Sequence, residues 1–334
     1  MQVSFKKIKA WQKDFLSRRP HRSFRLTRRR DYVRPLELPG YIAFTHYVNK
    51  TLWRYKKLFI GLTVVYLVLL MILVGIGSQD TYSSLIDSLK DTGSNVAQGN
   101  VSQLGQAGLI FLSIASVGIS AEPTEAQQIY TIILGLLVFL TTVWLLRNIM
   151  AGHKVKLRDG LYSAGAPIVS LVVVTLILMV QMIPIFISVI AYGAASGTGL
   201  LASGVEAMLF WIAAGLLALL SIFWATSTFF GMIIVTLPGM YPMKALRNAG
   251  DLVLGRRVKI LLRWLWMFMM IALFWAVVLI PVIFLDLWLK GIWPAINAAP
   301  IVPVTLAILG AVSIVWFSAY VYLLYRKVVD EHKQ

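Results

Sequence analysis

The residues of this chain that could carry acid–base or metal chemistry lie outside its apolar segments. The four histidines, His21, His46, His153 and His332, all fall in polar stretches. No two of them have the i,i+4 spacing that places two metal ligands on one helix face, and neither an HExxH motif nor a Walker-type phosphate loop occurs. Cysteine is absent. The sequence therefore predicts no catalytic residue, no metal site and no cofactor, and it argues against an enzyme.

The most polar groups inside the apolar segments are Gln181 and the cluster Thr226, Ser227 and Thr228. Ionisable residues within a membrane span usually mark a transport path or a proton relay, and the centres of these segments carry none. Small hydroxyl residues in spans more often serve contacts between helices than a substrate pocket. We therefore expect these residues to join helices, with a polar cavity as the alternative.

Two prolines stand in closely similar apolar strings. Pro184 lies in VQMIPIF and Pro281 in VLIPVIF, each in the second half of its segment. A proline removes one helical hydrogen bond and bends the helix, so the carbonyl four residues earlier, at Val180 or Val277, needs another partner. Gln181 lies one turn before Pro184 and could provide it. The sequence predicts matched kinks at similar depth.

The elements that must hold these residues are long apolar runs. The chain is 59% hydrophobic and 13% charged, which is more apolar surface than a soluble domain can bury. Runs of 18 or more apolar residues predict membrane-spanning helices. The expected fold is all-α, a polytopic bundle of six transmembrane helices, at Leu58–Gly77, Ile129–Arg147, Pro167–Tyr192, Ala207–Leu237, Ile260–Leu285 and Pro303–Tyr325.

The positive charges orient this bundle. With six spans and the N-terminus inside, all but two of the 31 Lys and Arg residues lie on the inner side or at inner helix ends, the exceptions being Lys90 and Lys290. Cytoplasmic loops carry such an excess. We predict a protein of the cytoplasmic membrane with both termini inside. The apolar run 108–120 is too short to cross, and we expect it to be re-entrant or interfacial.

Residues 1–39 form a predicted basic cytoplasmic arm ahead of a membrane domain at 40–326 and a tail at 327–334. We expect the arm to bind anionic lipid headgroups, because its charges lie next to a negative inner leaflet. A nucleic-acid-binding arm is the less favoured alternative, since Phe and Trp between Arg residues would suit base stacking. The predicted headgroup ligands are Lys6, Lys7, Lys9, Lys13, Arg18, Arg19, Arg22, Arg25, Arg28, Arg29 and Arg30.

The membrane domain has a repeating layout. Each of three segments, at about 40–147, 152–238 and 240–325, begins with a basic amphipathic stretch that leads directly into a span. We therefore expect an interfacial amphipathic helix before each hairpin. Each repeat would begin on the inner side, so the repeats would be parallel and related about the membrane normal.

The string PMKALRNAGDLVLGRRVKILLR at Pro242–Arg263 resembles the segment before each hairpin in a family of bacterial six-span proteins, those related to the glycerophosphodiester phosphodiesterase membrane domain. In that family a small-residue helix and a glycine, here Gly255, precede the next span. The resemblance extends over residues 40–325 through the repeat layout. It implies a six-helix membrane bundle of poorly defined biochemical role. The soluble phosphodiesterase domain of some members is not expected here, because no segment outside the spans is long enough.

Two functions fit these expectations. The first is a non-enzymatic scaffold or accessory protein, favoured by the lack of charge in the span centres. The second is a permease for a small or amphipathic solute, favoured by the repeats and by the paired prolines. A protein partner and an oligomeric state cannot be derived from the sequence.

Overall fold

The described part of the chain is built from helices alone. The computed structural model describes residues 38–74, 125–198, 204–293 and 299–330, and within these ranges it contains no strand. The helices are α1 (Tyr41–Arg54), α2 (Lys56–Leu73), α3 (Glu125–Met150), α4 (Leu157–Ser163), α5 (Ile168–Gly197), α6 (Gly204–Ile234), α7 (Pro242–Val253), α8 (Arg257–Ile292) and α9 (Ile301–Asp330).

Six of these helices, α2, α3, α5, α6, α8 and α9, are long and apolar enough to cross a membrane, which confirms the predicted spans. The protein is therefore a multi-pass α-helical membrane protein. Most helices extend beyond the apolar run that predicted them. The longest is α8, whose 36 residues cover about 54 Å, against a hydrocarbon core of about 30 Å.

The three short helices α1, α4 and α7 each precede a hairpin, as the sequence predicted, and each is joined to the following span by at most four residues. Helix α7 buries Ala245, Ala249, Leu252 and Val253. Met243 in its first turn is 72% exposed. The alanines on the buried face let α7 lie close against α6.

Two glycines allow these short helices to approach the spans. A Cβ atom on Gly160 of α4 would lie 3.0 Å from Leu145 Cδ2 of α3. A Cβ atom on Gly231 of α6 would lie 3.0 Å from Leu246 Cδ2 of α7. At both positions the missing side chain is what permits contact between helices.

The main hydrophobic core joins residues from all six spans with residues of α1 and α7. Its largest fully buried side chains include Tyr320, Phe44 and Phe230. The rings of Tyr320 and Phe44 meet edge to face with centroids 4.9 Å apart, which fixes α1 against α9. Along α2, α3 and α9 this core extends as far as Leu70, Leu134 and Ala307, whereas in α5, α6 and α8 it is confined to the end of the bundle that carries the short helices.

That end is also where the positive charge collects. It is formed by the last turns of α3, α6 and α9, the first turns of α5 and α8, and the three short helices. Contacts across it join Arg147 to Thr236 and Arg256 to the Val328 carbonyl. Every described Lys and Arg except Lys290 lies at or near this end, which we call the basic end. Its assignment to the cytoplasm stays a prediction from the positive-inside rule.

Toward the opposite end the α5–α6 hairpin leaves this shared core. Helices α8 and α9 have there a second, smaller core of Trp275, Leu279, Val302, Leu306 and Leu309. No residue of α6 before Ser221 is buried, and the ring centroid of Tyr192 on α5 lies 5.8 Å from that of Trp211 on α6. All six spans thus share one core only at the basic end.

Candidate functional site

The predicted polar residues at depth meet each other across the α5–α6 hairpin. The hydroxyl of Thr228 donates a hydrogen bond of 2.6 Å to Gln181 Oε1. Thr228 is buried and Gln181 half-buried, near the middle of α5. Since these two groups satisfy each other, the pair joins two helices, as small polar residues in spans commonly do.

The other two members of the hydroxyl cluster bond within their own helix. Thr226 donates to the Ile222 carbonyl at 2.6 Å, and Ser227 donates to the Trp224 carbonyl at 3.0 Å. Neither is recorded in contact with Gln181. Gln181 and Thr228 therefore bond to each other across the hairpin. The hydroxyls of Thr226 and Ser227 bond instead to backbone carbonyls of their own helix.

The break at Pro184 is bridged by a residue that the sequence analysis missed. The backbone N–H of Ile185 donates to Ser221 Oγ on α6 at 3.2 Å. Ser221 is fully buried at the point where α5 and α6 come together. A serine five residues before the hydroxyl cluster of the same helix gives no sequence signal of its own, because its partner is set by the register of the hairpin.

The two residues whose carbonyls the prolines free of a helical hydrogen bond lie on the outside of the bundle. Val180 and Val277 are each 63% exposed, and Pro281 is exposed as well. Pro184 lies 16 residues after the start of α5, whereas Pro281 lies 24 residues after the start of α8. The two kinks can therefore lie at equal depth only if the first residue of α8 is about 12 Å more distant from the membrane centre than the first residue of α5. The duplication and the matched kinks stay predictions.

A recess at the basic end has a volume of about 520 Å³. Two turns, 163–170 and 235–241, form its walls together with the last turns of α3. Its polar side chains are Arg147, Ser163, Ser170, Thr236 and Tyr241. We refer to it as the Arg147 recess.

Arg147 reaches from α3 to the end of α6. Its Nη1 donates to the Thr236 carbonyl at 3.0 Å, and its Nη2 donates to Thr236 Oγ1 in a very short contact. The phenol groups of Tyr322 and Tyr325 on α9 lie within electrostatic range of the same guanidinium. The side chain of Arg147 therefore joins the α2–α3 hairpin to the α5–α6 hairpin.

The charge of Arg147 is not neutralised inside the recess. Among the described residues that line it, Arg147 carries the formal charge and no Asp or Glu is present. The nearby Lys154, Lys156 and Arg158 are exposed and add to the positive potential. The arrangement can hold an anion, while nothing in it resembles a nucleophile with its base.

A second cavity of about 280 Å³ lies between α1, α8 and α9. Its polar lining consists of Thr45, Asn49 and Ser313. Each of these is already engaged by an indole N–H: Trp266 donates to Thr45 at 3.0 Å, Trp316 to Asn49 at 2.8 Å and Trp275 to Ser313 at 2.8 Å. The cavity is therefore a largely apolar groove whose polar groups fix neighbouring tryptophans.

Several predicted features lie outside the described residues. These are residues 1–37 of the arm with all of its predicted lipid ligands, the run 108–120 and the last four residues of the tail. Within the described ranges no group of three or more His, Asp or Glu could hold a metal ion. The comparisons with family models, curated proteins and solved structures gave no match. The resemblance of residues 40–325 to the glycerophosphodiester phosphodiesterase membrane-domain proteins therefore stays a prediction.

Proposed function

We propose that this membrane protein is a non-enzymatic scaffold or accessory protein of the cytoplasmic membrane. The observation that carries the proposal is the pairing of Gln181 with Thr228, because the polar groups available for a path through the spans are used to hold two helices together. The amide next to Pro184 is likewise bonded to a neighbouring helix. The exposed positions Val180 and Val277 face away from the bundle interior.

The distribution of packing supports the same function. A core shared by all six spans makes the basic end a single unit, which can present the short helices α1, α4 and α7 to lipids or to a protein. The long apolar faces of α5, α6 and α8 lie outside that core, where lipid chains or another transmembrane helix can contact them.

A permease for a small or amphipathic solute is the alternative. The groove lined by Thr45, Asn49 and Ser313 favours it, because this groove runs along α8, one of the two spans with a proline in the helix interior. The groove differs from the predicted path, however, since its lining residues do not include Gln181, Pro184, Pro281 or Thr226–Thr228.

Cysteine labelling separates the two functions, and the chain contains no native cysteine to remove. Gln181→Cys and Thr228→Cys would be treated in intact cells and in inverted vesicles with a membrane-impermeant maleimide. The proposal expects no labelling at either position from either side. Lys154→Cys, in an exposed turn, is the positive control, and Val277→Cys, on the outer surface of α8, is the lipid-facing control. Labelling at Gln181→Cys or Thr228→Cys above the Val277→Cys level would show a hydrated path and overturn the proposal.

A further inference from the structure

We infer that the Arg147 recess binds the phosphate of an anionic phospholipid headgroup. The inference is independent of the proposed function, because a scaffold and a permease could both carry such a site. It concerns a place in the fold that is separate from the basic arm.

The first argument is the charge of the recess. Arg147 is half-buried, and its hydrogen-bonding partners, Thr236 and the Tyr322 phenol, are neutral groups. A guanidinium has five N–H donors in a planar fork that matches phosphate oxygens. Two of its nitrogens each donate one hydrogen bond to Thr236. The guanidinium has further N–H donors, and no carboxylate lines the recess. An anion completes this arrangement.

The second argument is the set of neutral donors around Arg147. Ser163 and Ser170 contribute hydroxyl groups to the lining. Ser170 also lies in the first turn of α5, where backbone N–H groups have no partner within the helix and the helix dipole favours negative charge. Arginine, hydroxyls and helix-end amides are the groups that bind phosphate in proteins.

The apolar lining and the open rim of the recess favour a lipid over a soluble anion. The remaining lining includes Leu140, Trp144 and Met240, so the polar centre is bordered by apolar surface. Tyr241, Ser163 and Ala166 at the rim are exposed, which leaves the recess open at the surface. Trp and Tyr favour the headgroup level of a membrane, and basic pockets between spans bind anionic headgroups. The volume of about 520 Å³ lies within the usual range for small-molecule sites.

The test measures lipid binding to the purified full-length protein by native mass spectrometry. Dioleoyl phosphatidylglycerol and dioleoyl phosphatidylcholine would be titrated separately into the wild type, Arg147→Gln and Arg158→Gln. The two variants lose the same charge at the same end, but Arg158 is exposed outside the recess. We expect the wild type to bind phosphatidylglycerol more tightly than phosphatidylcholine. Arg147→Gln should weaken its binding about tenfold, the effect of losing one charged hydrogen-bonding partner, and Arg158→Gln should change it less than twofold.

Ser170→Asp provides a second variant that should retain the fold, because an acidic residue stabilises the first turn of a helix. The new carboxylate would pair with Arg147 and should weaken phosphatidylglycerol binding to a similar extent. Circular dichroism and size-exclusion chromatography would confirm folding of each variant. Lipid binding that is unchanged in Ser170→Asp would overturn the inference.

Three further results would also overturn it. Equal losses in Arg147→Gln and Arg158→Gln, or equal binding of the two lipids by the wild type, would show only diffuse attraction by the basic end. Displacement of phosphatidylglycerol by millimolar inorganic phosphate or glycerol phosphate would assign the recess to a soluble phosphate. Retention of the lipid in the presence of these competitors supports a headgroup site.

Discussion

Replacement of Thr228 by valine tests the central contact of the α5–α6 hairpin. The substitution keeps the side-chain shape but removes the hydroxyl that donates to Gln181 Oε1 at 2.6 Å. The Gln181 amide would then be left without its recorded partner, in a half-buried position within a span. An unsatisfied buried polar group costs about 1–3 kcal/mol, and hydrogen bonds between membrane helices contribute about 0.6 kcal/mol on average and up to about 1.7. We expect Thr228→Val to lower the free energy of unfolding by about 1–2 kcal/mol.

Replacement of the partner residue, Gln181, should lower the free energy of unfolding less. In Gln181→Leu the Thr228 hydroxyl can still donate a hydrogen bond to the Trp224 carbonyl of its own helix, which lies 3.4 Å away. The leucine also suits a position that is partly exposed to lipid. We expect Gln181→Leu to be within about 0.5 kcal/mol of the wild type. In the Gln181→Leu background, Thr228→Val should lose most of its effect, which gives a coupling energy of about 1 kcal/mol.

The measurement is an unfolding titration in mixed detergent micelles, followed by circular dichroism, on the wild type, both single variants and the double variant. Thr226→Val is the matched control, because Thr226 is equally buried but bonds only to the Ile222 carbonyl of its own helix. A coupling energy below about 0.3 kcal/mol, within the error of additivity, would refute the pairing. The argument for a scaffold would then lose its main observation.

Three other predictions concern packing, topology and the arm. Gly231→Val should destabilise the protein by about 1–3 kcal/mol, because the valine would overpack against Leu246. Gly215→Val, in the same helix with open space around it, should be neutral. Equal effects of the two substitutions would contradict the close α6–α7 contact. Reporter fusions after residues 90, 157, 200, 250, 294 and 334 should alternate between outside and inside, beginning outside; an inside signal at residue 90 or 200 would reject the topology. A peptide of residues 1–34 should bind vesicles with anionic lipid and dissociate at high salt; equal binding to neutral vesicles would show that its apolar face dominates, and tighter binding to RNA would favour the nucleic-acid alternative.

The spans could be predicted because hydropathy is a local property of the chain. Their ends were less predictable, since a helix continues wherever its polar groups find partners. Helix α8 extends past the apolar run that ends at Leu285, and there Asp286, only 3% exposed, pairs with Lys290 one turn later at 2.7 Å. An i,i+4 ion pair of this kind supports further helical turns beyond the apolar run.

The partners of the polar residues depend on how the hairpins pack. Gln181 and the cluster at Thr226–Thr228 were recognised as the polar groups at depth, but only the register of the hairpin decides that Thr228, and not Thr226, faces Gln181. The Arg147 recess brings together turns that are some 70 residues apart in the chain. Composition and periodicity cannot supply contacts of that kind, because they describe neighbours along one helix.

Arginines at the basic end belong to two physical classes. Those exposed at the surface can orient the chain with no cost of burial. Arg147 and Arg263 instead turn inward, where losing water is costly unless other groups replace it. Arg263, 5% exposed, donates to the Pro39 carbonyl and lies 4.3 Å from the centre of the Tyr41 ring, so its burial serves to hold the start of α1 against α8. Arg147 bonds to Thr236 and lies within hydrogen-bond range of the Tyr322 phenol, but it also borders an open recess. A charge needed only for orientation or packing would not require such a recess, and Arg147 therefore differs from Arg263 in having room for a ligand beside it.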